Sequence, residues 1–209
     1  EAAGRIFADA GFDVHLDGIT AASNSDNFTR LVIINTCAVT QKAEQKARRV
    51  IRLALKKFSG AVVLVTGCYA QLSGKEIEKL DERVVVLGGQ IKSRLSSVPE
   101  LLKKFVETNS MFDCTGFIKA VKEKVVLQPV AKPDFPEDSF KLSTTSLLAH
   151  SRASLKIQDG CNNNCSYCTI HIARGHSVSL DVNIALERVQ ALEKAGYDEV
   201  VLTTINIGQ

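Results

Sequence analysis

Three cysteines in the string DGCNNNCSYC, Cys161, Cys165 and Cys168, are the residues of this sequence best suited to chemistry. Their C-x3-C-x2-C spacing lets three thiolates from one loop ligate three corners of a cubane iron–sulfur cluster. The fourth iron then has no protein ligand and is open to a substrate or cofactor. The triplet therefore predicts an iron–sulfur site with one open iron.

Zinc is the alternative metal for these thiolates. A structural zinc site has four ligands, and the nearest candidates for a fourth ligand are His171 and His176. The cysteine run of two-cluster ferredoxins, with its fourth cysteine followed by proline, does not occur here. The spacing favours the cluster and leaves zinc as the competing interpretation.

Cys37 and Cys68 form a second group, because they occupy equivalent places in NTCAVT and TGCYAQ. Each ends an apolar run that predicts a buried strand, and each precedes a predicted helix. If the two strands are neighbours about 5 Å apart, both thiols emerge at one edge of the sheet, where helix N-termini favour anionic ligands. The pair then suits a second cluster, and the alternative is two small buried apolar residues. Cys114, in MFDCTG, lies in no such motif and is interpreted as a free thiol.

The elements that must position these cysteines alternate between helix and strand. The N-terminus is an amphipathic helix closed by Gly11. Further along, apolar periodicity predicts strands at 31–37, 61–67 and 84–89, and helices at 41–58, at 73–81 and around Leu101 to Val106. This alternation predicts an α/β fold with a parallel, doubly wound sheet.

The pattern changes after position 107. Residues 108–150 contain Pro129, Pro133 and Pro136 among scattered charges, and we interpret them as a linker or irregular connection. Beyond it, a βαβ unit is predicted, with strands at 153–160 and 199–206 and a helix at 181–195. The expected domains are thus 1–107 and 151–209, joined by 108–150.

Length and composition favour a soluble globular protein. The chain has 209 residues, of which 45% are hydrophobic, and its net charge is +3. No apolar run approaches the roughly 18 to 20 residues that cross a bilayer, and no signal peptide is evident. We expect a cytoplasmic protein without a membrane partner, in which the six cysteines bind metal or stay reduced. Because the sequence starts at Glu1 and its one methionine is Met111, the natural start is expected to lie upstream.

The string CNNNCSYC resembles the cysteine motif of the radical S-adenosylmethionine enzymes, in which an aromatic residue precedes the third cysteine, as Tyr167 does here. The resemblance implies that S-adenosylmethionine chelates the open iron. An electron delivered through the cluster then gives a 5'-deoxyadenosyl radical, and Tyr167 lies against the adenine. The protein positions the cofactor, which carries the chemistry.

Together, NTCAVTQKAEQKAR, TGCYAQ, SLKIQDGCNNNCSYC and ARGHS resemble the methylthiotransferases, radical enzymes with two 4Fe–4S clusters that insert sulfur and a methyl group into a C–H bond. The resemblance implies a flavodoxin-like domain with three cysteines for an auxiliary cluster, then a partial (β/α) barrel and a small RNA-binding β-domain. Cys37 and Cys68 would be two of the three auxiliary ligands. The first strand with the first of these cysteines, most of the barrel and the last domain are expected to lie outside this sequence, so the fragment is not expected to act alone.

The ARGHS string adds a binding residue and two departures from the family pattern. Arg174 matches the arginine of an arginine–glycine pair and is assigned a cofactor carboxylate or a substrate phosphate as ligand, with a surface salt bridge as the alternative. His171 stands where a proline is usual, and Val178 where an arginine is expected.

A basic helix and the family resemblance point to tRNA as the partner. Seven basic residues and one acidic residue, Glu44, lie between positions 42 and 57, and Arg48, Arg49 and Arg52 are the RNA-binding candidates, with a solvated helix face as the alternative. NTCAVT and KIQDGC most resemble the branch of the family that methylthiolates N6-threonylcarbamoyladenosine next to the anticodon.

The implied reaction starts with hydrogen abstraction at C2 of the adenine, followed by sulfur insertion and methylation by a second S-adenosylmethionine. An electron donor such as flavodoxin or ferredoxin is implied. Isopentenyladenosine in tRNA and a ribosomal-protein aspartate are the competing substrates. A non-catalytic iron–sulfur electron carrier and a zinc-stabilised RNA-binding module are the alternatives of another class.

Overall fold

The structure is a computed structural model that describes residues 2–16, 18–38, 40–108, 112–130, 138–142 and 152–208. Its helices are α1 (Ala2–Asp9), α2 (Gln41–Lys57), α3 (Cys68–Glu78), α4 (Val98–Thr108), α5 (Cys114–Val121), α6 (Ile170–Arg174) and α7 (Val182–Lys194). Its strands are β1 (Leu31–Thr36), β2 (Val62–Gly67), β3 (Val84–Gly88), β4 (Ala153–Lys156), β5 (Gln158–Asp159), β6 (Val178–Ser179) and β7 (Val200–Thr203). A 3₁₀ segment, Gly89–Ser97, precedes α4, and a π-helical turn, Lys122–Val126, follows α5.

The first part of the chain is a parallel three-stranded sheet in the order β1, β2, β3. Every residue of the central strand β2 is buried, as expected for a parallel strand covered on both faces. On one face Val63 and Val65 pack with Ile51 of α2. On the other face Leu64 packs with Leu95 and Phe117. The predicted α/β fold with a parallel sheet is thus confirmed, and it is consistent with a flavodoxin-like domain.

Helix α2 forms where its apolar periodicity predicts it. The side chain of Thr40 caps its N-terminus by accepting a hydrogen bond from the Ala43 amide at 3.1 Å. Helix α3 differs from the prediction of 73–81, because it begins at Cys68, directly after Gly67. A kink with non-helical backbone angles at Ser73 interrupts its apolar periodicity, which explains why the sequence located only its second half.

The expectation of an irregular connection was wrong for the segment that forms α5 and the π-helical turn after it. Asp113 caps α5 by accepting a hydrogen bond from the Gly116 amide at 2.9 Å. Phe117, Val121 and Val125, spaced four residues apart, are buried in the same core as α4. This segment therefore completes the first core. Pro133 and Pro136 lie outside the described residues, and the boundaries at 107 and 150 stay predictions.

The second part of the chain opens with the predicted βαβ unit. Strands β4 and β7 pair in parallel, with α7 between them in sequence. The single strand expected at 153–160 is divided into β4 and β5, and β5 pairs antiparallel with β6. In the described part of the chain, no helix is both long and apolar enough to cross a membrane.

Arg83 ties the end of α2 to the start of β3. Its guanidinium donates hydrogen bonds to the carbonyls of Leu55, Phe58 and Ser59 at 2.9 to 3.1 Å, and its Nε lies 3.1 Å from Oδ1 of Asp81. The last carbonyls of a helix have no partner within the helix and carry partial negative charge. Arg83 thus satisfies the acceptors at the end of α2.

We expect Arg83→Met to lower the free energy of unfolding by about 2–3 kcal/mol, because three carbonyls and a carboxylate lose a charged donor. Urea unfolding of the purified protein measures this. The control is Lys103→Met, which removes an exposed cation from α4 and should change stability by less than about 0.5 kcal/mol. Equal stabilities of the two variants would contradict the assigned role.

The same contact predicts a pH dependence. Burial alone would raise the pKa of Asp81, but its hydrogen bonds with Arg83 lower the pKa overall. A carboxyl with a lowered folded-state pKa contributes stability above its ordinary pKa of about 4, and this contribution is lost as pH falls through the lowered value. The stability gap between Asp81→Asn and wild type should therefore be constant above about pH 5 and shrink below about pH 4. A gap independent of pH would rule out the ionised pair.

Candidate functional site

Cys37 and Cys68 lie together at the C-terminal edge of the three-stranded sheet. Each directly follows one member of the adjacent pair Thr36 and Gly67 on β1 and β2. Both line a cavity of about 260 Å³, where Cys37 is exposed and Cys68 is partly exposed. The expected placement of the two cysteines at one sheet edge is confirmed, and their role as cluster ligands stays a prediction.

Two hydrogen bonds of the Thr36 hydroxyl and one glycine form this edge. The Thr36 hydroxyl donates to the carbonyl of Thr66 at 2.6 Å and accepts from the amide of Ala70 at 3.2 Å, so it joins β1, β2 and the first turn of α3. Gly67 has φ of +100°, and a Cβ there would collide with the Thr36 carbonyl oxygen. Glycine is therefore required at the residue before Cys68.

Gly67→Ala should lower the free energy of unfolding by about 3 kcal/mol or more, because it adds a backbone clash to an unfavourable left-handed conformation. Gly18→Ala is the matched control, since a Cβ at Gly18 meets nothing within 4 Å and needs no positive φ. Thermal or urea unfolding compares the two. A Gly67→Ala protein as stable as the Gly18→Ala protein would show that the edge tolerates a side chain.

The cysteine triplet lies on the loop between β5 and α6. Gly160, with φ of +72°, turns the chain immediately before Cys161, and a Cβ there would collide with the His176 carbonyl. The Cys161 amide donates to the Gly175 carbonyl at 3.1 Å, and the Cys168 amide donates to the Cys165 carbonyl at 3.0 Å. All three thiols are free and partly exposed. The loop is thus folded back against the segment that follows α6.

Gln158 holds the base of this loop, a role that sequence reasoning missed. Its side chain is buried, and its Nε2 donates to the carbonyls of Asp159 and Gly160 and contacts the Ser177 hydroxyl, at 2.8 to 2.9 Å. Its Oε1 accepts from the amides of Ile205 and Asn206 at 2.8 and 3.0 Å. One amide thereby connects the cysteine loop to the loop after β7. The sequence contained one signal for this role: in KIQDGC, a polar glutamine stands in a predicted strand just before the cysteine motif.

The donor chemistry of both groups fits iron–sulfur clusters, since free thiols are the ligands that such clusters use. At Gly160 and Gly67 a Cβ would collide with the neighbouring backbone, so these two glycines fix the path of the chain immediately before Cys161 and Cys68. Within the described ranges, no three His, Cys, Asp or Glu side chains are placed so that they could hold a metal ion. The thiol groups are therefore the right donors for iron–sulfur clusters. Their side chains are not arranged around a common metal position.

The buried carboxylate of Asp159 joins the two groups. It lies 2.8 Å from Nζ of Lys156 and 2.8 Å from Nη1 of Arg174. Burial alone would raise the pKa of Asp159, but the Lys156 charge and the hydrogen bonds from both cations hold it below its ordinary value. Arg174 and Asp159 line the same cavity as Cys68. Asp159, two residues before Cys161, is thus connected to the edge that carries Cys68.

A second contact brings α6 to the same edge. Gln90, just after β3, donates from Nε2 to the carbonyl of Ile172 at 3.2 Å, and its own amide donates to the Gln71 side chain at 3.2 Å. Helix α6 packs against α3 and the 3₁₀ segment. The helix that follows the triplet therefore rests on the helix that begins with Cys68.

Lys92 reaches into the cavity from the 3₁₀ segment. Its Nζ lies 3.1 Å from the side-chain oxygen of Asn35, and the cavity wall also contains Lys156, Asp159 and Arg174. Burial, and then the charges of Lys156 and Arg174, lower the pKa of Lys92. The cavity therefore combines two cysteines and three cations with the carboxylates of Asp138 and Asp159.

Tyr167 lies beside Cys165 of the triplet, and its ring is exposed to solvent. It is 89% exposed, and the neighbouring Cys165 raises its pKa. The predicted stacking on adenine is an expectation that depends on the bound cofactor.

The two histidines that could complete a zinc site have different surroundings. Nδ1 of His171 is buried and lacks a hydrogen-bond partner within the described chain. His176 is exposed and its Nδ1 lies 3.1 Å from the side-chain oxygen of Asn162. Cys114 is apart from both cysteine groups, since its thiol donates to the Gly60 carbonyl at 3.2 Å and burial raises its pKa.

The three RNA-binding candidates do not share one environment. Arg48 points inward: its Nη1 donates to the buried Tyr69 hydroxyl at 2.8 Å, and its guanidinium lies 5.7 Å from that ring's centroid. Arg49 and Arg52 are exposed. The structure therefore places Arg48 with the residue next to Cys68, and leaves Arg49 and Arg52 at the surface.

Comparisons with known proteins agree with this architecture. Residues 14–89 match the model described as "Uncharacterized protein family UPF0004". The chain is 38% identical to a protein of Treponema pallidum named threonylcarbamoyladenosine tRNA methylthiotransferase MtaB, over 86% of this chain and 45% of that protein. It is 32% identical to the Bacillus subtilis protein of the same name, over 100% of this chain and 40% of that protein.

A Lawsonia intracellularis protein named tRNA-2-methylthio-N(6)-dimethylallyladenosine synthase is 28% identical over 85% of this chain and 37% of its own length. The chain spans less than half the length of these curated relatives. Over the part that they share, the chain is similar to proteins named as tRNA methylthiotransferases, which confirms the resemblance found in its motifs.

Proposed function

We propose that the protein containing this chain methylthiolates tRNA, converting N6-threonylcarbamoyladenosine next to the anticodon to its 2-methylthio derivative. The observation that carries the proposal is a shared cavity: Cys37 and Cys68 line it together with Asp159 and Arg174, so the sheet edge with two cysteines lies next to the base of the cysteine triplet. The names and the identity of the relatives at 38 and 32% support tRNA as the substrate.

The cofactors follow from the donor sets. Cys161, Cys165 and Cys168 would hold a 4Fe–4S cluster that binds S-adenosylmethionine, and Cys37 and Cys68 would be two of the ligands of an auxiliary 4Fe–4S cluster. When bound, these groups would supply the radical that activates a C–H bond and the sulfur that replaces the hydrogen. The electron donor of flavodoxin or ferredoxin type and the cytoplasmic location stay predictions.

The residues of this chain would bind and orient the reactants. A substrate group in the cavity meets Cys37 and Cys68 on one side and Lys156, Asp159 and Arg174 on another. Because Arg174 is already paired with Asp159, it is held in place before any ligand arrives, which lowers the cost of ordering it. Arg174 is therefore positioned to align a carboxylate or phosphate without moving.

The exposed face of α2 is the surface we propose for the RNA backbone. Its cationic row consists of five exposed residues without an ion pair in the described part of the chain: Lys42, Lys46, Arg49, Arg52 and Lys56. At 1.5 Å per residue the row extends for about 21 Å, so it can contact several phosphates. The row begins close to Cys37, which lies just before α2. Arg48 belongs to the packing of Tyr69 and not to the row.

Replacing Lys46, Arg49 and Arg52 by glutamine should weaken tRNA binding by the full-length protein and reduce the slope of log K against log salt by about two. The matched control replaces Lys103, Lys119 and Lys124, exposed lysines of α4, of α5 and of the following turn, which pack on the opposite face of the sheet. Binding assays at several salt concentrations measure both slopes. If the two triple variants have the same slope, the row does not bind RNA.

Nucleoside mass spectrometry of tRNA from cells that lack the full gene tests the function itself. We expect 2-methylthio-N6-threonylcarbamoyladenosine to disappear and N6-threonylcarbamoyladenosine to accumulate, and re-expression to reverse both. If only the 2-methylthio derivative of isopentenyladenosine is lost, this protein has the activity for which the Lawsonia intracellularis relative is named. Unaltered methylthio-adenosines together with an altered ribosomal protein would exclude tRNA as the substrate.

A further inference from the structure

Two peptide units lead from β5 to the first cysteine of the triplet, and hydrogen bonds hold both ends of each. The Asp159 carbonyl accepts from Nε2 of Gln158 at 2.9 Å, and the Gly160 amide of the same peptide unit donates to Oδ1 of Asp159 at 2.9 Å. The Gly160 carbonyl accepts from the same Nε2 at 2.8 Å, and the Cys161 amide donates to the Gly175 carbonyl at 3.1 Å. The backbone that leads into Cys161 is therefore fixed at four points.

The oxygen of the Gln158 side chain holds a different loop. It accepts hydrogen bonds from the amides of Ile205 and Asn206 at 2.8 and 3.0 Å. These two residues follow β7, which is the parallel neighbour of β4. Ligands of parallel α/β structures bind beyond the carboxyl ends of the strands. One buried amide thus joins the cysteine loop and the loop after β7 at the end of the sheet where a ligand is expected.

The amide group of glutamine matches these partners because one of its ends donates and the other accepts. Its nitrogen, which can only donate, faces two carbonyls and the Ser177 hydroxyl, and its oxygen faces two N–H groups. Gln158 is only 4% exposed, so the loss of these hydrogen bonds would leave buried polar groups unpaired. A methionine would fill the same space and provide none of the partners.

The backbone on the other side of Cys161 is held by the same short segment before β6. The Ser177 amide donates to Oδ1 of Asn162 at 2.9 Å, and the Ser177 hydroxyl lies 2.8 Å from Nε2 of Gln158. The residues before and after Cys161 are thus tied to one residue. Backbone that is ordered before a ligand arrives has fewer conformations to lose when the ligand binds.

We propose that Gln158 is a positioning residue for the cluster of the triplet, because it fixes Cys161 and the loop after β7 relative to each other. This inference rests on the proposed function, since it assumes that the triplet holds a cluster. Cys161 is then the ligand with a fixed backbone, and Cys165 and Cys168, further along the loop, complete the site when the cluster binds. Residues that hold metal ligands in place typically change metal affinity by about 10- to 100-fold when they are removed.

The rate at which a chelator removes iron under anaerobic conditions tests the inference. The reconstituted full-length protein with Cys37→Ala and Cys68→Ala provides the background, so that the triplet holds the remaining cluster. Adding Gln158→Met should speed iron release by about tenfold or more. It should also broaden the EPR lines of the reduced cluster, because Cys161 is then not confined to one position. Gln190→Met changes an exposed glutamine of α7, and this control should keep the rate of the background.

A second background separates positioning from a loss of the fold. With alanine at all three triplet positions, Gln158→Met should leave the rate of iron release from the cluster at the sheet edge unchanged. Faster release from both clusters would mean that Gln158 supports the fold as a whole, and it would overturn the inference. If Gln158→Met does not fold, Ser177→Ala decides, since it removes one contact of Nε2 and should speed release from the triplet by about two- to fivefold. An unchanged rate in Ser177→Ala then overturns the inference.

The outcomes also distinguish the inference from the proposed function. If wild type binds about eight irons while Gln158→Met releases triplet iron at the rate of Gln190→Met, the inference fails and the proposed function stands. If the triplet of wild type binds no iron, the proposed cofactor and the role of Gln158 fail together. The nucleosides of tRNA from cells that lack the gene are measured without any variant of Gln158, so that result tests the proposed function alone.

Discussion

The buried carboxylate of Asp159 is the constraint on which the arrangement of the two cysteine groups depends. Asp159 is only 7% exposed, and an unpaired carboxylate in that position would be strongly destabilising. Lys156 on β4 and Arg174 on α6 supply the opposite charges. Arg174 and Asp159 share a cavity with Cys68, and α6, which carries Arg174, packs against α3, so the pair that satisfies Asp159 lies against the edge of the first sheet. Removing Asp159 or Arg174 would leave its partner charge without compensation.

Several parts of this arrangement follow from local sequence patterns. The apolar runs at β1 and β2 predict neighbouring parallel strands, and each is followed at once by a cysteine, so Cys37 and Cys68 had to emerge at one edge. The βαβ unit of β4, α7 and β7 is predictable for the same reason, because its apolar spacing changes clearly between strand and helix. In both cases the decisive information lies within a few residues.

Other parts depend on tertiary contacts that no short window contains. The inward turn of Arg48 depends on Tyr69, which is 21 residues away. The cavity that Lys92 lines is formed by residues from both parts of the chain. Gln158 receives two of its hydrogen bonds from residues more than 45 positions later. Helix α5 was missed because prolines after it suggested an irregular connection, although the spacing of Phe117, Val121 and Val125 indicated a helical face.

We propose two separate clusters, one on the triplet and one on the sheet edge, and the iron content of the full-length protein after anaerobic reconstitution tests this most directly. Wild type should bind about eight irons, with Mössbauer spectra of two 4Fe–4S clusters. Cys37→Ala combined with Cys68→Ala should retain about four irons, and a triple alanine variant of Cys161, Cys165 and Cys168 should retain the other four. If the Cys37 and Cys68 double variant binds as much iron as wild type, the sheet edge holds no cluster. If wild type binds only about four irons, the protein does not hold two clusters at the same time.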